Sequence, residues 1–310
     1  NHVKLAKLLK FYDPISIDNF LNSIRLSLIS INVGGCEFQN EKRARKDLVQ
    51  AGKELIAFYL LKAENKDIFN SDSKIWYRWF REAIIGGQIN QDEDKDQSPE
   101  QIILNKINRL QIINFNYDRS FSFYLSSKMN QNINIDTKDD NICSAIIDNI
   151  HYPYGCLGKK DDQGNGVDFQ EIPYGNLSNE LKNQNLVGLF KDKISPYSKR
   201  IKTIGEKENE NNLIKDLIDK SDTSINQNFY FLGFGFIEEN INHITNLRPG
   251  EKIVQAYYRK IFYTNYGDLK KINLLAEKHA STGKLSNDAG MTSSTKGVYD
   301  ALNEDFPLII

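Results

Sequence analysis

The sequence is poor in cysteine and histidine and has no excess of either charge. Its 310 residues include three cysteines and four histidines, and 40 basic residues stand against 41 acidic ones. Three cysteines without a C-x-x-C pair argue against both a disulfide framework and a zinc site built from four cysteines. The balanced charge gives no support for direct nucleic-acid binding, which usually shows a basic excess.

Long apolar runs are also missing from the sequence. No stretch approaches the roughly 20 apolar residues of a membrane-spanning helix, and no signal-peptide pattern is present. Together with the scarcity of cysteine, this predicts a cytoplasmic protein without membrane contact. Residue 1 is Asn rather than Met, so we expect the natural chain to begin upstream. The hydrophobic share of 40% is enough for a large core, in one large domain or two modest ones.

The apolar residues that are present follow two different spacings. Over residues 1–95 they recur at helical intervals, as Leu48, Leu55 and Ile56 do, which indicates helices. Over residues 96–310, short β-rich runs alternate with helical segments, which predicts βαβ units, an α/β fold and a parallel sheet. The predicted strands cover 110–116, 145–152, 200–206, 228–236 and 260–268, and the predicted helices cover 118–127, 211–220, 238–247, 269–279 and the terminal stretch 291–306.

Distinctive residues follow four of the predicted strands. In strand order they are Asn116-Tyr117-Asp118, His151 with Tyr154-Gly155, Gly233-Phe234-Gly235-Phe236, and Thr264-Asn265. Parallel α/β sheets bind their ligands just beyond the carboxyl ends of the strands. Four such ends therefore predict a single binding crevice.

Each of these groups also has an ordinary structural interpretation. Asp118 is suited to cap the following helix and Asn116 to satisfy a turn, but together they can also hold a polar ligand and one water. The glycines near Gly233 fit either a tight turn or the close approach of a pyrophosphate to the next helix. His151 can accept a proton near neutral pH, or it can be held by backbone partners.

The stretches IINFNYDRSF, IHYPYGCLG, FYFLGFGF and KIFYTNYGDLKK, in this order, resemble the sirtuin-like domains of bacterial antiphage-defence proteins. The resemblance covers residues 15–300 at the level of spaced motifs, and it includes the helical stretches SIDNFL and WYRWF. It implies one sirtuin-like domain, in which residues 1–95 form a helical subdomain. Residues 96–310 would form a Rossmann-like parallel sheet with helices on both faces, which binds NAD.

The resemblance implies roles for the first two groups of residues. In sirtuins an Asn-x-Asp motif contacts nicotinamide and its ribose; Asn116 and Asp118 match it, with Tyr117 in the variable middle position. The family's His-Gly motif appears here as Tyr154 followed by glycine, so either His151 or Tyr154 is expected to be the catalytic base. The family's Gly-Ala-Gly phosphate loop would lie before the first residue of this sequence.

The resemblance also implies how the rest of NAD is bound. Gly233, Phe234 and Gly235 match the region of sirtuins that meets the dinucleotide. Thr264 and Asn265 lie where the last strand would meet the adenosine side. Deacylating sirtuins carry a zinc module with four cysteines, so the three scattered cysteines here imply no zinc and point away from protein deacylation.

The implied activity is that of an NAD glycohydrolase, which cleaves NAD to nicotinamide and ADP-ribose as an effector of antiphage defence. The alternative is a catalytically diverged module that binds NAD or ADP-ribose and regulates a partner ATPase or nuclease. The tyrosine in place of histidine favours this alternative. Because uncontrolled NAD loss would kill the host, we expect control by homo-oligomer assembly or by a partner defence protein such as an ATPase, a nuclease or an Argonaute-like protein.

Overall fold

The structure of the protein, a computed structural model, describes residues 1–14, 16–70, 76–86, 97–132, 140–158, 169, 173–177, 188, 194–203, 206, 228–234, 260–265, 269–279 and 291–306. Over these residues the fold is mixed α/β, with many helices and two small parallel sheets. The predicted helices at 211–220 and 238–247 lie outside the described residues.

Helices fill the described part of the chain before the first strand. They are α1 His2–Tyr12, α2 Ile17–Arg25, α3 Glu41–Ala63, α4 Tyr77–Gly86 and α5 Pro99–Arg109, with a 3₁₀ turn Lys66–Asn70 after α3. Three of them begin after a residue whose side chain accepts a hydrogen bond from a backbone N–H of the first turn, namely Ser16, Asn40 and Ser98. The helical spacing predicted for residues 1–95 is thus confirmed where the structure describes them.

One compact unit comprises residues 1–71 and 111–206. The two strands described in it pair in parallel, with Ile112 beside Ile150 and Ile113 beside His151. Helices α1, α2 and α3 pack around a buried core that includes Leu5, Leu21 and Leu48. The later elements of this unit are β1 Ile112–Ile113, α6 Ser120–Asn132, α7 Asp140–Asp148, β2 Ile150–His151 and α8 Ser195–Ser198.

The strand predicted over 145–152 is wrong for most of its length. Residues up to Asp148 belong to α7, and only Ile150–His151 form a strand. Ile142, Ile146 and Ile147 are buried at helical intervals, because α7 turns one apolar face towards the core. A short apolar run fits a buried helix as well as a buried strand, so its spacing alone did not distinguish them. Residues 201–203, predicted as part of a strand, form none.

The second compact unit comprises residues 72–110 and 207–310. Its described sheet is parallel in the order β3-β4-β5, and Phe262 stacks on Tyr230 of the neighbouring strand at 5.0 Å between ring centres. Its elements after α4 and α5 are β3 Asn228–Phe231, β4 Lys260–Thr264, α9 Lys270–His279, β5 Met291–Ser294, α10 Val298–Asp300 and a π-helical turn Ala301–Asp305. Strands β3 and β4 and helix α9 confirm the predictions over 228–231, 260–264 and 270–279. Residues 232–234 and 265 form no strand, and 235–236 and 266–268 lie outside the described residues.

The terminal stretch was expected to be a packed helix throughout, and this expectation is wrong for its first residues. Met291–Ser294 form β5, which pairs in parallel with β4 so that Ile261 lies beside Met291. Thr292 and Ser293 are exposed, so β5 lacks the apolar alternation that identifies a strand in sequence. The helical residues follow only from Val298 onwards.

The two compact units interleave along the chain. Residues 72–110, which carry α4 and α5, belong with residues 207–310 rather than with the helices before them. The predicted boundary at residue 95, between a helical part and a Rossmann-like core, stays a prediction, because compact units and functional domains need not coincide.

Candidate functional site

Residues 114–119 lie directly beyond the carboxyl end of β1, in the first unit. The Asn114 N–H donates to the His151 carbonyl at 2.8 Å, which continues the parallel pairing by one step. The Asn116 N–H in turn donates to Asn114 Oδ1 at 3.0 Å. The Asn116 side chain is exposed and makes no hydrogen bond to the described residues. Its amide is therefore available to a ligand.

Asp118 combines the two roles that the sequence left open. One oxygen of its half-buried carboxylate accepts from the Ser120 N–H at 3.1 Å, where α6 begins. This contact holds the start of the helix, as the structural interpretation required. The other oxygen has no hydrogen-bond partner among the described residues. Asp118 can thus fix the turn and still offer a carboxylate oxygen to a ligand.

Tyr117 fastens the segment to two distant parts of the chain. Its phenol oxygen lies 2.9 Å from Asp18 Oδ1 on α2 and 2.8 Å from the Lys202 carbonyl. Burial and the neighbouring Asp18 carboxylate raise the pKa of Tyr117, so the phenol stays protonated. Burial also raises the pKa of Asp18, against the lowering effect of the hydrogen bond from Tyr117. The sequence placed Tyr117 in a variable position and gave no sign of this anchoring.

Arg119, the last residue of this segment, is fully buried. Its guanidinium donates to both carboxylate oxygens of Glu64, from Nε at 2.7 Å and from Nη2 at 3.0 Å. The Gly175 N–H donates to the same carboxylate at 3.0 Å, and the guanidinium also lies 5.3 Å from the Phe169 ring centre. A buried bidentate pair of this kind fixes the backbone on both sides. The sequence assigned Arg119 only to the start of a helix, because nothing in it pairs residues 55 positions apart.

Of the two candidate bases, Tyr154 lies against this segment. Its buried ring packs beside the rings of Phe115 and Tyr117, with centres 6.1 and 6.3 Å apart. His151 Nε2 instead lies 3.0 Å from Gln111 Oε1. Gln111 precedes β1 whereas Asn116 follows it, so this partner of the imidazole belongs to the residue before the strand rather than to the segment after it.

The glycine after Tyr154 is required by the way this turn packs. Gly155 has a φ of +71°, and a Cβ at this position would lie 1.9 Å from the Arg200 carbonyl oxygen. Next to it, the Lys202 N–H donates to the Tyr154 carbonyl at 2.8 Å. The backbone of the turn thus rests against residues 200–202, which also hold Tyr117. These contacts fix where the Tyr154 side chain emerges.

The second unit holds the residues that the resemblance assigned to dinucleotide binding. Gly233 is exposed beyond the carboxyl end of β3 with a φ of +63°, and its N–H donates to Thr264 Oγ1 at 2.7 Å. A Cβ here would meet no described atom within 4 Å, so the backbone is open to close approach. Phe234 is buried against Phe231, and Gly235 lies outside the described residues.

Thr264 and Asn265 have structural roles in this unit. Both are buried, and Thr264 ties the end of β4 to the end of β3. Asn265 Oδ1 accepts from the Leu269 N–H at 3.0 Å, while its Nδ2 donates to the Leu269 carbonyl and to Asn273 Oδ1. The Asn265 amide is therefore committed to the start of α9. A contact with adenosine stays a prediction for both residues.

The structure thus assembles two separate groups of candidate residues. In the first unit, Asn116 and Asp118 belong to the segment whose neighbouring residues Phe115 and Tyr117 pack against Tyr154. In the second unit, the Gly233 N–H contacts Thr264. The single crevice predicted from four strand ends stays a prediction. The described residues contain no group of three or more metal-binding side chains. Within the same residues, no helix has the length and apolar character needed to cross a membrane.

Comparison with known proteins gives no relative. No family model matches the chain, and no curated protein and no solved structure matches it either.

Proposed function

We propose that the protein is an NAD glycohydrolase of the sirtuin-like, Rossmann-like type that acts in antiphage defence. The proposal starts from the four motifs that resemble this family in the same order. One observation carries it further: Asn116 presents an exposed amide beyond the end of a parallel strand pair, two residues before Asp118, and the Tyr154 ring packs against its neighbours Phe115 and Tyr117. The residues around the amide are anchored, so a ligand would meet a fixed site.

The cleavage of NAD requires little acid or base catalysis from the protein. Nicotinamide leaves as a neutral molecule from a cationic pyridinium, so the general acid of ordinary glycoside hydrolysis is unnecessary. Asn116 would orient the attacking water or the ribose hydroxyls, and Asp118 would engage the nicotinamide carboxamide. Either Tyr154 or His151 would accept a proton from the water or from a ribose hydroxyl, and His151 would have to leave Gln111 to do so.

The direct test is to incubate the purified chain with NAD and to follow free nicotinamide. We expect turnover in the wild type and a loss of at least about 100-fold in Asn116→Ala, the usual effect of removing one positioned polar group. Asn176→Ala, which removes another exposed asparagine of the first unit, is the matched control and should keep full turnover. Unchanged turnover in Asn116→Ala would exclude this residue from the mechanism.

Two further variants decide between the candidate bases. Tyr154→Phe keeps the ring that packs against Phe115 and Tyr117 and removes only the hydroxyl. We expect it to lower turnover by at least about tenfold, whereas His151→Gln should stay within about threefold of the wild type. The opposite result would give the role of base to His151.

A binding module without turnover is the second candidate function. The contact between His151 and Gln111 favours it, because it leaves the described site without an imidazole. In that case the chain would bind NAD or ADP-ribose and regulate a partner ATPase or nuclease, as a homo-oligomer or within a larger assembly. Calorimetric binding of ADP-ribose together with no release of nicotinamide would support this function over the first.

A further inference from the structure

The first unit contains a cleft of about 920 Å³, within the size range of small-molecule sites. One wall is a face of α3 that runs from Lys42 to Lys53 at helical intervals. The opposite wall is the end of α2 and the turn after it, with Arg25 and Ser27, and Glu206 also lines the cleft. We call this space the cationic cleft. It is not lined by Asn116, Asp118 or Tyr154.

The charges around the cationic cleft do not balance. Five cations and two carboxylates line it. Arg45 pairs with Glu41 through two of its nitrogens, and Lys53 Nζ lies 2.6 Å from Glu206 Oε2. The other three cations have no carboxylate partner among the described residues; these are Arg25, Lys42 and Lys46.

Each ion pair has one buried member, and these buried side chains hold the walls of the cleft in place. The side chains of Arg45 and Lys53 are only 9% and 11% exposed. Arg45 Nη1 also donates to the carbonyls of Ile24 and Ile29, at 3.0 and 2.9 Å, and so ties the α2 wall to α3. The backbones that carry the other three cations thus lie on walls that are held together, so a ligand would have to order only their exposed side chains.

Ser27 adds a hydroxyl to this wall at a conformational cost. The turn after α2 has the hydrogen bonds of a Schellman motif, from the Ser27 N–H to the Ile24 carbonyl and from the Leu28 N–H to the Ser23 carbonyl. Ser27 occupies the left-handed position of this motif, with a φ of +60°, where glycine is normally found. The Schellman turn by itself accounts for this backbone conformation.

We propose that the cationic cleft binds a small molecule that carries a di- or triphosphate group. Three unpaired positive charges match the charge of such a group, and a cleft concentrates their field. The planar guanidinium of Arg25 can bind phosphate oxygens in pairs, while Lys42 and Lys46 supply point charges. This phosphate group belongs either to a separate nucleotide effector or to the diphosphate of NAD itself.

Isothermal titration of the purified chain with inorganic pyrophosphate tests the proposal. Lys42→Ala/Lys46→Ala removes two exposed lysines from the cleft and should weaken binding by about tenfold or more. The matched control is Lys7→Ala/Lys10→Ala, which removes two exposed lysines of α1 and changes the net charge equally. The control should stay within about twofold of the wild type, and melting temperatures should show that both variants are folded.

Four results would overturn the proposal. The first two are that the wild type does not bind pyrophosphate, or that both double variants weaken binding equally. The third is that binding depends on Asn116 but not on the two cleft lysines. The fourth is that a single-stranded oligonucleotide binds more tightly than pyrophosphate. Titrations with ADP and NAD identify the source of the phosphate. Dependence on the cleft lysines alone indicates a separate effector, and additional dependence on Asn116 indicates NAD. Because pyrophosphate binding needs no turnover, loss of the NAD hydrolase proposal would leave this one intact.

Discussion

Asn116 and Asn265 both follow a parallel strand, yet their side chains are used in opposite ways. Asn116, in the first unit, is exposed, and its amide bonds to none of the described residues. Asn265, in the second unit, is 2% exposed and uses both ends of its amide to hold Leu269 and Asn273. A polar residue at a strand end is therefore a candidate for ligand binding only where the fold leaves its hydrogen-bonding groups unused.

The residues behind the two asparagines differ as well. In the first unit, the tightly held residues are the neighbours of Asn116, above all Tyr117 and Arg119. In the second unit, the candidate residues Thr264 and Asn265 themselves carry the structural contacts. This contrast makes the first strand end the candidate for ligand binding and gives the second a structural role, and substitutions can test each half.

The largest expected effect comes from the buried ion pair of the first unit. Arg119→Met leaves the Glu64 carboxylate buried without its cation, and should lower the free energy of unfolding by about 3–5 kcal/mol. Arg78→Met breaks the exposed pair with Glu82 in the second unit and should cost less than about 1 kcal/mol. Urea denaturation of both variants measures the difference.

A third variant shows whether the charge itself is responsible. Arg119→Met/Glu64→Leu removes both charges, so it should recover part of the stability that Arg119→Met loses. If Arg119→Met unfolds no more easily than Arg78→Met, the Glu64 pair does not hold the segment that carries Asn116.

The glycines at the two strand ends give the next largest contrast. Gly155→Ala should destabilise the protein by about 2–4 kcal/mol, because strain from the positive φ adds to a clash with the Arg200 backbone. Gly233→Ala has a similar φ but open space around the new methyl group, so only about 1–2 kcal/mol should be lost. Thermal unfolding followed by circular dichroism compares the two. Equal losses would show that the packing around Gly155 contributes nothing beyond its backbone conformation.

The two asparagines themselves should separate stability from function. Asn265→Ala leaves the Leu269 N–H and other buried groups without partners, and should cost about 1–3 kcal/mol of unfolding free energy. Asn116→Ala removes an exposed amide, so its stability should change by no more than about 0.5 kcal/mol. Both values come from the same denaturation experiment. A large stability loss in Asn116→Ala would show that this amide is structural, and the contrast would fail.

Much of the fold could be predicted from the sequence where the apolar pattern was long. The 23 residues of α3 repeat their apolar positions often enough to identify a helix, and β3 and β4 are rich in aromatic and β-branched residues. The short runs failed. Residues 140–148 have too few turns to distinguish a helix from a strand, and β5 was missed because pairing with β4, rather than its own residues, makes it a strand.

In the candidate site, too, the features formed by neighbouring residues could be predicted, whereas the contacts between distant residues could not. The Asn-x-Asp motif and the position of Asn116 beyond a strand are local features, so both could be predicted from the sequence. The partners of its neighbours are distant: Glu64 lies 55 positions from Arg119, and Asp18 lies 99 positions from Tyr117. Spacing along the chain carries no information about such pairs. For the same reason, the sequence could not show that His151 contacts Gln111 while Tyr154 packs against Phe115 and Tyr117.

The smallest expected effect is a difference in pH dependence between the two strand ends. Burial raises the pKa of Asp18, which contacts Tyr117, so the folded protein binds this proton more tightly than the unfolded chain. In the second unit, the hydrogen bond from Lys296 lowers the pKa of Asp305, which also accepts from Ser294 at the end of β5. Folding therefore favours the protonated form of Asp18 and the charged form of Asp305.

The two aspartates should accordingly give opposite pH profiles when each is changed to asparagine. The free energy of unfolding of the wild type relative to Asp18→Asn should fall as the pH rises from 3.8, the ordinary pKa of aspartate, through the raised pKa of Asp18. The change should stay within about 1 kcal/mol. The stability of the wild type relative to Asp305→Asn should fall as the pH drops below 3.8 through the lowered pKa of Asp305. Denaturation at a series of pH values on both sides of this point measures both differences. A profile of the same sign for both variants would mean that the pKa of Asp18, like that of Asp305, is lower in the folded protein than in the unfolded chain. The hydrogen bond from Tyr117 would then outweigh the burial of the carboxylate.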